Sequence, residues 1–149
     1  MNPRWDARFL GLAREVATWS KDPRHQIGAV AVSPKGQVLS QGYNGFPRGI
    51  DDSMSRYRDG DTKRLFVVHA EQNVIYNATY TGVSLDGATL YIAGLPPCHE
   101  CAKGIIQTGI RRVVLDNDQA GNWEASWNQS KAMFEEVGIE VCVYANGLV

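Results

Sequence analysis

Two short runs hold the residue types best suited to chemistry. His69-Ala70-Glu71 sets an imidazole and a carboxylate two positions apart, and Pro97-Cys98-His99-Glu100-Cys101 sets two thiols three positions apart. One imidazole and two thiolates make a three-ligand set for zinc that leaves the fourth tetrahedral position to water, as a catalytic site requires and a closed structural site does not. Glu71 could then reach that water without binding the metal and act as its proton carrier.

The spacing predicts where these residues sit. If Pro97 opens a helix, Cys98 and Cys101 share one face of its first turn, where unpaired N–H groups and the helix dipole favour thiolates. His69 and Glu71 do not share a face inside a regular helix, so they belong at a helix entrance. Two other readings stay open at this point. A lone C-x-x-C can be a redox pair, which leaves the histidine and glutamate unexplained; a structural zinc site would need a fourth ligand from His25, His99 or Cys142.

The elements that must position these runs follow from periodicity. Asn2 and Pro3 are a cap and first-turn pair, and Phe9, Leu12, Ala13, Val16 and Ala17 recur at helical spacing, predicting an amphipathic first helix that ends near Trp19. Arg4, Arg8 and Arg14 fall on its wet side, and Trp5 and Trp19 read as packing residues. Residues 27–32 and 38–43 read as two strands of an antiparallel hairpin around the turn at Ser33-Pro34-Lys35-Gly36. Gly42 to Gly49 is a glycine-rich loop, and the charged stretch from Ile50 to Arg64 reads as a solvated insertion whose basic residues could face a triphosphate. A helix over 68–80 carries His69 and Glu71, a strand over 89–92 leads to the cysteines, and their helix stops at Gly109. Residues 112–115 and 140–144 are the last two strands, parallel because a helix over 123–137 joins them by a right-handed crossover.

At 149 residues the chain is expected to be one domain, and a chain of this size buries about 70% of its unfolded surface. A hydrophobic fraction of 44% and a charged fraction of 21% are those of an ordinary globular protein. A net charge of −1 offers no global attraction for a nucleic-acid polymer, and suits a small nucleotide better. Three cysteines, two of them spoken for, argue against a disulfide framework and for a reducing compartment, with Cys142 read as a small buried hydrophobe. The N-terminus has no signal-peptide core and no run reaches membrane-spanning length, so a soluble, cytoplasmic protein with no membrane partner is expected.

Taken together, H-A-E followed by P-C-H-E-C fits the H-x-E…P-C-x-x-C pattern of zinc deaminases that act on nucleobases. The helix, the strands and the paired ligand runs resemble the cytidine deaminase-like superfamily. Within it, Ser20-Lys21-Asp22-Pro23, Gly42-Tyr43-Asn44-Gly45-Phe46-Pro47-Arg48-Gly49, Asp51-Asp52, His69-Ala70-Glu71 and Cys98-His99-Glu100-Cys101-Ala102-Lys103 resemble deoxycytidylate (dCMP) deaminases. The resemblance implies an α/β fold, a three-layer α/β/α arrangement around a five-stranded mixed sheet, and hydrolysis of dCMP to dUMP and ammonia. It further implies one catalytic Zn²⁺ per subunit, activation by dCTP with Mg²⁺, inhibition by dTTP and a homohexamer. The chain departs from many members in having Val68 where a cysteine often precedes the zinc histidine. Its insertion holds neither cysteine nor histidine, so a second structural zinc is not expected.

On this reading His69, Cys98 and Cys101 hold zinc, which lowers the pKa of water towards about 7, while Glu71 takes the proton and delivers it to N3 and the departing amine. Asn44 is the candidate for the deoxyribose hydroxyl, and Lys21 and Arg24 are candidates for the 5′-phosphate. Ala70 and Pro97, beside the ligands, and Trp123, with stacking over the base or core packing as its two readings, complete the candidate substrate contacts. Gly42, Tyr43, Gly45, Phe46 and Arg48 are candidates for an effector site. The competing functions are a deaminase of tRNA or another nucleotide, which calls for a basic surface that the Glu124, Glu135 and Glu136 helix does not offer, and a noncatalytic zinc module.

Overall fold

The computed structural model describes residues 2–144. A five-stranded sheet runs in the order β2-β1-β3-β4-β5, formed by β1 (Gly28–Val32), β2 (Val38–Tyr43), β3 (Thr89–Ala93), β4 (Arg112–Leu115) and β5 (Glu140–Val143). β1 pairs antiparallel with both β2 and β3, while β3, β4 and β5 are mutually parallel. The parallel β4–β5 pair matches the crossover expected from the intervening helix.

Alternation along the inner strands divides the core in two. Ala29 and Ala31 of β1, Leu90 and Ile92 of β3, and Val113 and Leu115 of β4 face one side. Val30, Val32, Tyr91, Ala93 and Val114 face the other. The second side is covered by α1 (Pro3–Ala17), which buries Phe9, Leu10, Ala13 and Val16 and starts where the Asn2 side chain accepts from Arg4 N at 2.8 Å. The first side is covered by α4 (Ala70–Thr81), α5 (His99–Gln107) and α6 (Glu124–Val137). Helices on both faces give the three-layer arrangement.

Gly42 of β2 lets α4 lie directly on the sheet. A Cβ there would sit 2.6 Å from Val74 N and 2.7 Å from Ala70 O, inside the helix backbone. Ser40 Oγ donates to Val74 O, and Asn73 and Asn77 donate to the Tyr43 and Gln41 carbonyls, so α4 is fastened along β2. The start of α4 inherits its position from this contact.

Two expectations need correction and a third gains detail. The charged insertion is largely exposed, as expected, and is folded into α2 (Met54–Arg58) and α3 (Gly60–Phe66). Asp59 caps α3 through Asp61 N and Thr62 N, and buried Tyr57 stacks on Phe46 at 4.2 Å between ring centroids. Trp5 and Trp19 are about half exposed, at 47% and 46%, stacked on Phe9 and set edge-on to Tyr43 respectively. Cys142 is only half-buried, placed between Arg112 and Glu140 rather than sealed in the core.

α1 also buries a charge. Asp6 is fully enclosed and accepts hydrogen bonds from Arg112, Tyr91 and Tyr144, which join α1 to β3, β4 and the end of β5. Burial pushes its carboxyl upward, but those four bonds outweigh it and hold the group at about 2.

Candidate active site

The starts of α4 and α5 meet at one point. His69 is the N-cap of α4, Cys98 is the N-cap of α5, and Cys101 lies one turn into α5. An isolated β-bridge fixes the approach to His69: Gly45 and Val68 exchange hydrogen bonds of 3.0 and 2.7 Å. Gln72 Oε1 then accepts from His69 N at 2.9 Å.

His69 Nδ1 lies 3.2 Å from Cys101 Sγ and 3.5 Å from Cys98 Sγ, and the three ligand atoms fall within 4.8 Å of one another. Tetrahedral zinc with ordinary Zn–N and Zn–S bonds would hold nitrogen and sulfur about 3.6 Å apart, so the donor set and its spacing suit zinc. No fourth histidine, cysteine or acidic residue joins this group among the described residues. His25, His99 and Cys142 stay outside it, which leaves a coordination position open and removes the basis for a closed structural site.

Local electrostatics set the two thiols apart. A hydrogen bond from Cys101, aided by His69, pulls Cys98 down to about 4, while the same contact with Cys98 and burial push Cys101 up. The bond to Cys98 raises His69 against the opposing effect of burial. Glu71, on the first turn of α4 and 4% exposed, is pushed up to about 7 by burial, with His69 opposing the rise. A carboxyl poised near neutrality can both accept and return a proton at physiological pH.

His69, Glu71 and Cys98 line a cavity of about 370 Å³, at the small-ligand end of the usual range. Asn44, Arg24 and Trp123 line it too, as does His25, whose ring stands edge-on to Trp123 at 5.1 Å. Asn44 is nearly buried, and its side chain accepts from Ile27 N and donates to His25 O and Asp22 Oδ2. It therefore shapes the cavity wall as well as facing the cavity.

The remaining expected contacts separate. Lys21 is absent from the cavity lining and pairs with Asp52 at 3.0 Å on the surface. Ala70 and Pro97 are buried outside the lining, where Pro96 takes part instead. Of the loop proposed for an effector, Gly42 and Tyr43 support α4, Gly45 bridges Val68 and Phe46 stacks on Tyr57. Arg48 donates to Asn77 and lies over the Tyr80 ring.

The sequence reasoning missed the contribution of α2 and α3, which bring Arg58, Lys63 and Arg64 to the cavity. Lys63 Nζ lies 2.6 Å from Asp22 Oδ2, whose carboxyl burial would raise but Lys63 holds down, and Arg64 pairs with Asp61. Among the described residues, the guanidinium groups of Arg24 and Arg58 make no ion pair or hydrogen bond. The density of arginines after Asp52 was the available signal; nothing in the linear pattern said that the segment folds back over His69.

A mixed sheet with helices on both faces, and a His/Cys/Cys group with a buried glutamate at two helix starts, place the molecule in the class of cytidine deaminase-like enzymes. Residues 3–116 match the model of the cytidine and deoxycytidylate deaminase zinc-binding region, and the chain belongs to that family. It is similar to a probable deoxycytidylate deaminase of Drosophila melanogaster, 39% identical over 91% of this chain and 70% of the relative. An uncharacterised deaminase of Aliivibrio fischeri is 36% identical over 95% of this chain and 94% of its own length. In fold it is similar to the dCMP deaminase of cyanophage S-TIM5, solved in complex with dCMP and dUMP, with a TM-score of 0.82, 26% identity and coverage of 96% and 98% of the two chains.

Proposed function

We propose that the 149-residue chain acts as one domain that hydrolyses dCMP to dUMP and ammonia. The observation that carries this reading is one small cavity lined by His69 and Cys98, with Cys101 grouped beside them, by a buried Glu71 and by the guanidinium groups of Arg24 and Arg58, unpaired among the described residues. Family membership and the relatives named deoxycytidylate deaminase support the substrate.

His69, Cys98 and Cys101 would hold the metal. Zinc bound there supplies a Lewis acid that acidifies water for attack on C4 of the pyrimidine. Glu71 accepts one proton from the attacking water and passes it to N3, then takes the second from the new C4 hydroxyl and hands it to the departing amine, so that one water is consumed and one ammonia leaves. Trp123 and His25 offer ring edges and faces to the base, Asn44 a polar contact to the sugar, and Arg24 and Arg58 charge-assisted bonds to the 5′-phosphate. With Lys63 neutralised by Asp22, the two free arginines are the stronger phosphate candidates.

Regulation by dCTP with Mg²⁺ and by dTTP, assembly as a homohexamer and a cytoplasmic location belong to the same proposal through the family resemblance. The test is ammonia release from dCMP, deoxycytidine, dCTP and an oligonucleotide, each with and without added dCTP and Mg²⁺. Selective turnover of dCMP is expected; equal turnover of deoxycytidine would overturn the phosphate contacts, and preference for the oligonucleotide would overturn the substrate.

A further inference from the structure

α6 reaches the backbone on either side of Cys98 through a pair of serines one turn apart. Ser130 is fully buried, and its Oγ donates to the Pro97 carbonyl at 2.9 Å, sharing the proton with its own helix at Ser126 O, 3.1 Å away. Ser126 Oγ accepts from His99 N at 2.9 Å and lies 2.8 Å from His99 Nδ1. Pro97 and His99 are the two neighbours of Cys98 in the chain. The two hydroxyls therefore grip the peptide units on either side of one metal-ligand candidate.

Both contacts answer a need of the backbone. His99 begins α5, so its N–H has no partner within the helix and must find one outside. The Pro97 carbonyl precedes the cap and is also outside the helical ladder. Cys98 itself stands in extended conformation, φ −71° and ψ 167°, and those two torsions set the direction of the Cα–Cβ bond from which its sulfur reaches out. α6 lies beyond residue 116, outside the part of the chain that matches the family model.

We infer that Ser126 and Ser130 are positioning residues for the metal group, locking the Cys98 backbone so that its sulfur is held toward His69 Nδ1 before any metal binds. The inference rests on His69, Cys98 and Cys101 being zinc ligands. Partners that orient a ligand typically change metal affinity by about 10–100-fold when removed.

The experiment is competition for zinc between a chromophoric chelator and the full-length protein, for the parent, Ser126→Ala, Ser130→Ala, the double variant and Ser126→Thr. The parent must first bind one zinc per chain; if it binds none, the ligand assignment fails and not merely the role of the serines. With zinc bound, each alanine variant is expected to lose affinity about 10-fold and the double variant more, while Ser126→Thr, which keeps the hydroxyl, stays near the parent. Gln129→Ala on the exposed face of α6 serves as the control and should bind zinc like the parent. A folded Ser126→Ala protein with parental zinc affinity overturns the clamp, and so does an equal loss in Ser126→Thr. Should buried Ser130→Ala fail to fold, the half-buried Ser126 position decides the outcome alone.

Discussion

Replacing Glu71 by glutamine separates chemistry from stability. The carboxyl is 4% exposed and pushed from an ordinary 4.5 to about 7 by burial. Because the folded protein holds the proton more tightly than the unfolded chain, this group favours folding only at low pH, and that advantage is lost as pH rises through about 7. At about 1.36 kcal/mol per pH unit, keeping the carboxylate ionised in the folded state at pH 8 costs about 3 kcal/mol, and less than about 1 kcal/mol at pH 5. A neutral isostere escapes that cost. In chelator-treated protein Glu71→Gln should thus raise stability in urea by about 3 kcal/mol at pH 8 and little at pH 5. The zinc-loaded protein should gain less, since a cation beside the carboxylate favours its charged form. The same variant should lose about 10²–10⁴-fold in kcat for dCMP, the usual worth of a general acid–base group. Unchanged turnover with zinc still bound would refute the proton-transfer role; an equal stability change at pH 5 and pH 8 would refute the electrostatic argument.

Arg24→Ala and Arg58→Ala should each raise KM for dCMP about tenfold, consistent with loss of a charge-assisted bond, and leave deoxycytidine kinetics unchanged; Lys21→Ala, outside the cavity, should alter neither. Asp6→Asn breaks an ion pair with Arg112 whose carboxylate is fully enclosed and should lower stability by about 3–5 kcal/mol in denaturant titration. In the parent, the roughly 2 kcal/mol contributed by the lowered Asp6 carboxyl is present above pH 3.8 and lost as pH falls towards about 2, so acid unfolding should be steep in that window and shallower in the variant. Gly42→Ala forces a methyl into the α4 backbone and should cost about 1–3 kcal/mol by overpacking, together with weaker zinc retention because His69 rides on the start of α4.

What could be read from the chain alone follows the range of the forces involved. β4 runs from Arg112 to Leu115 as its apolar run suggests, and α6 stops at Gly138, which adopts φ +78°. The metal group was legible because cap positions and i, i+3 spacing are local. α2 and α3 were not, since each is a turn or two long and buries little of its own: Tyr57 is covered by Phe46, which comes from the preceding loop. Asp6 was hidden for the same reason. A charge on the apolar face of α1 makes sense only when Arg112, 106 positions on, is known to reach it. That Lys21 pairs with Asp52 outside the cavity lining could not be read from its neighbours, because a cation's partner is set by the fold.

The same logic explains how two poor helix caps are tolerated. Ser, Thr, Asp and Asn are the residues that satisfy a helix start, yet here His69 and Cys98 occupy both cap positions with side chains turned toward a shared metal position. Each start is nonetheless satisfied, α4 by a group of its own first turn and α5 by the Cys98 side chain together with a serine of α6. Gln72 Oε1 takes the His69 N–H, the Cys98 sulfur takes the Cys101 N–H at 3.4 Å, and Ser126 Oγ takes the His99 N–H. Two helix N-termini are thereby directed at one point, and their positive ends favour thiolate at Cys98. That convergence requires α4 to lie flush on β2 through Gly42 and α5 to be held by α6. The reactive group is thus only as well defined as two contacts lying outside the motif that reveals it.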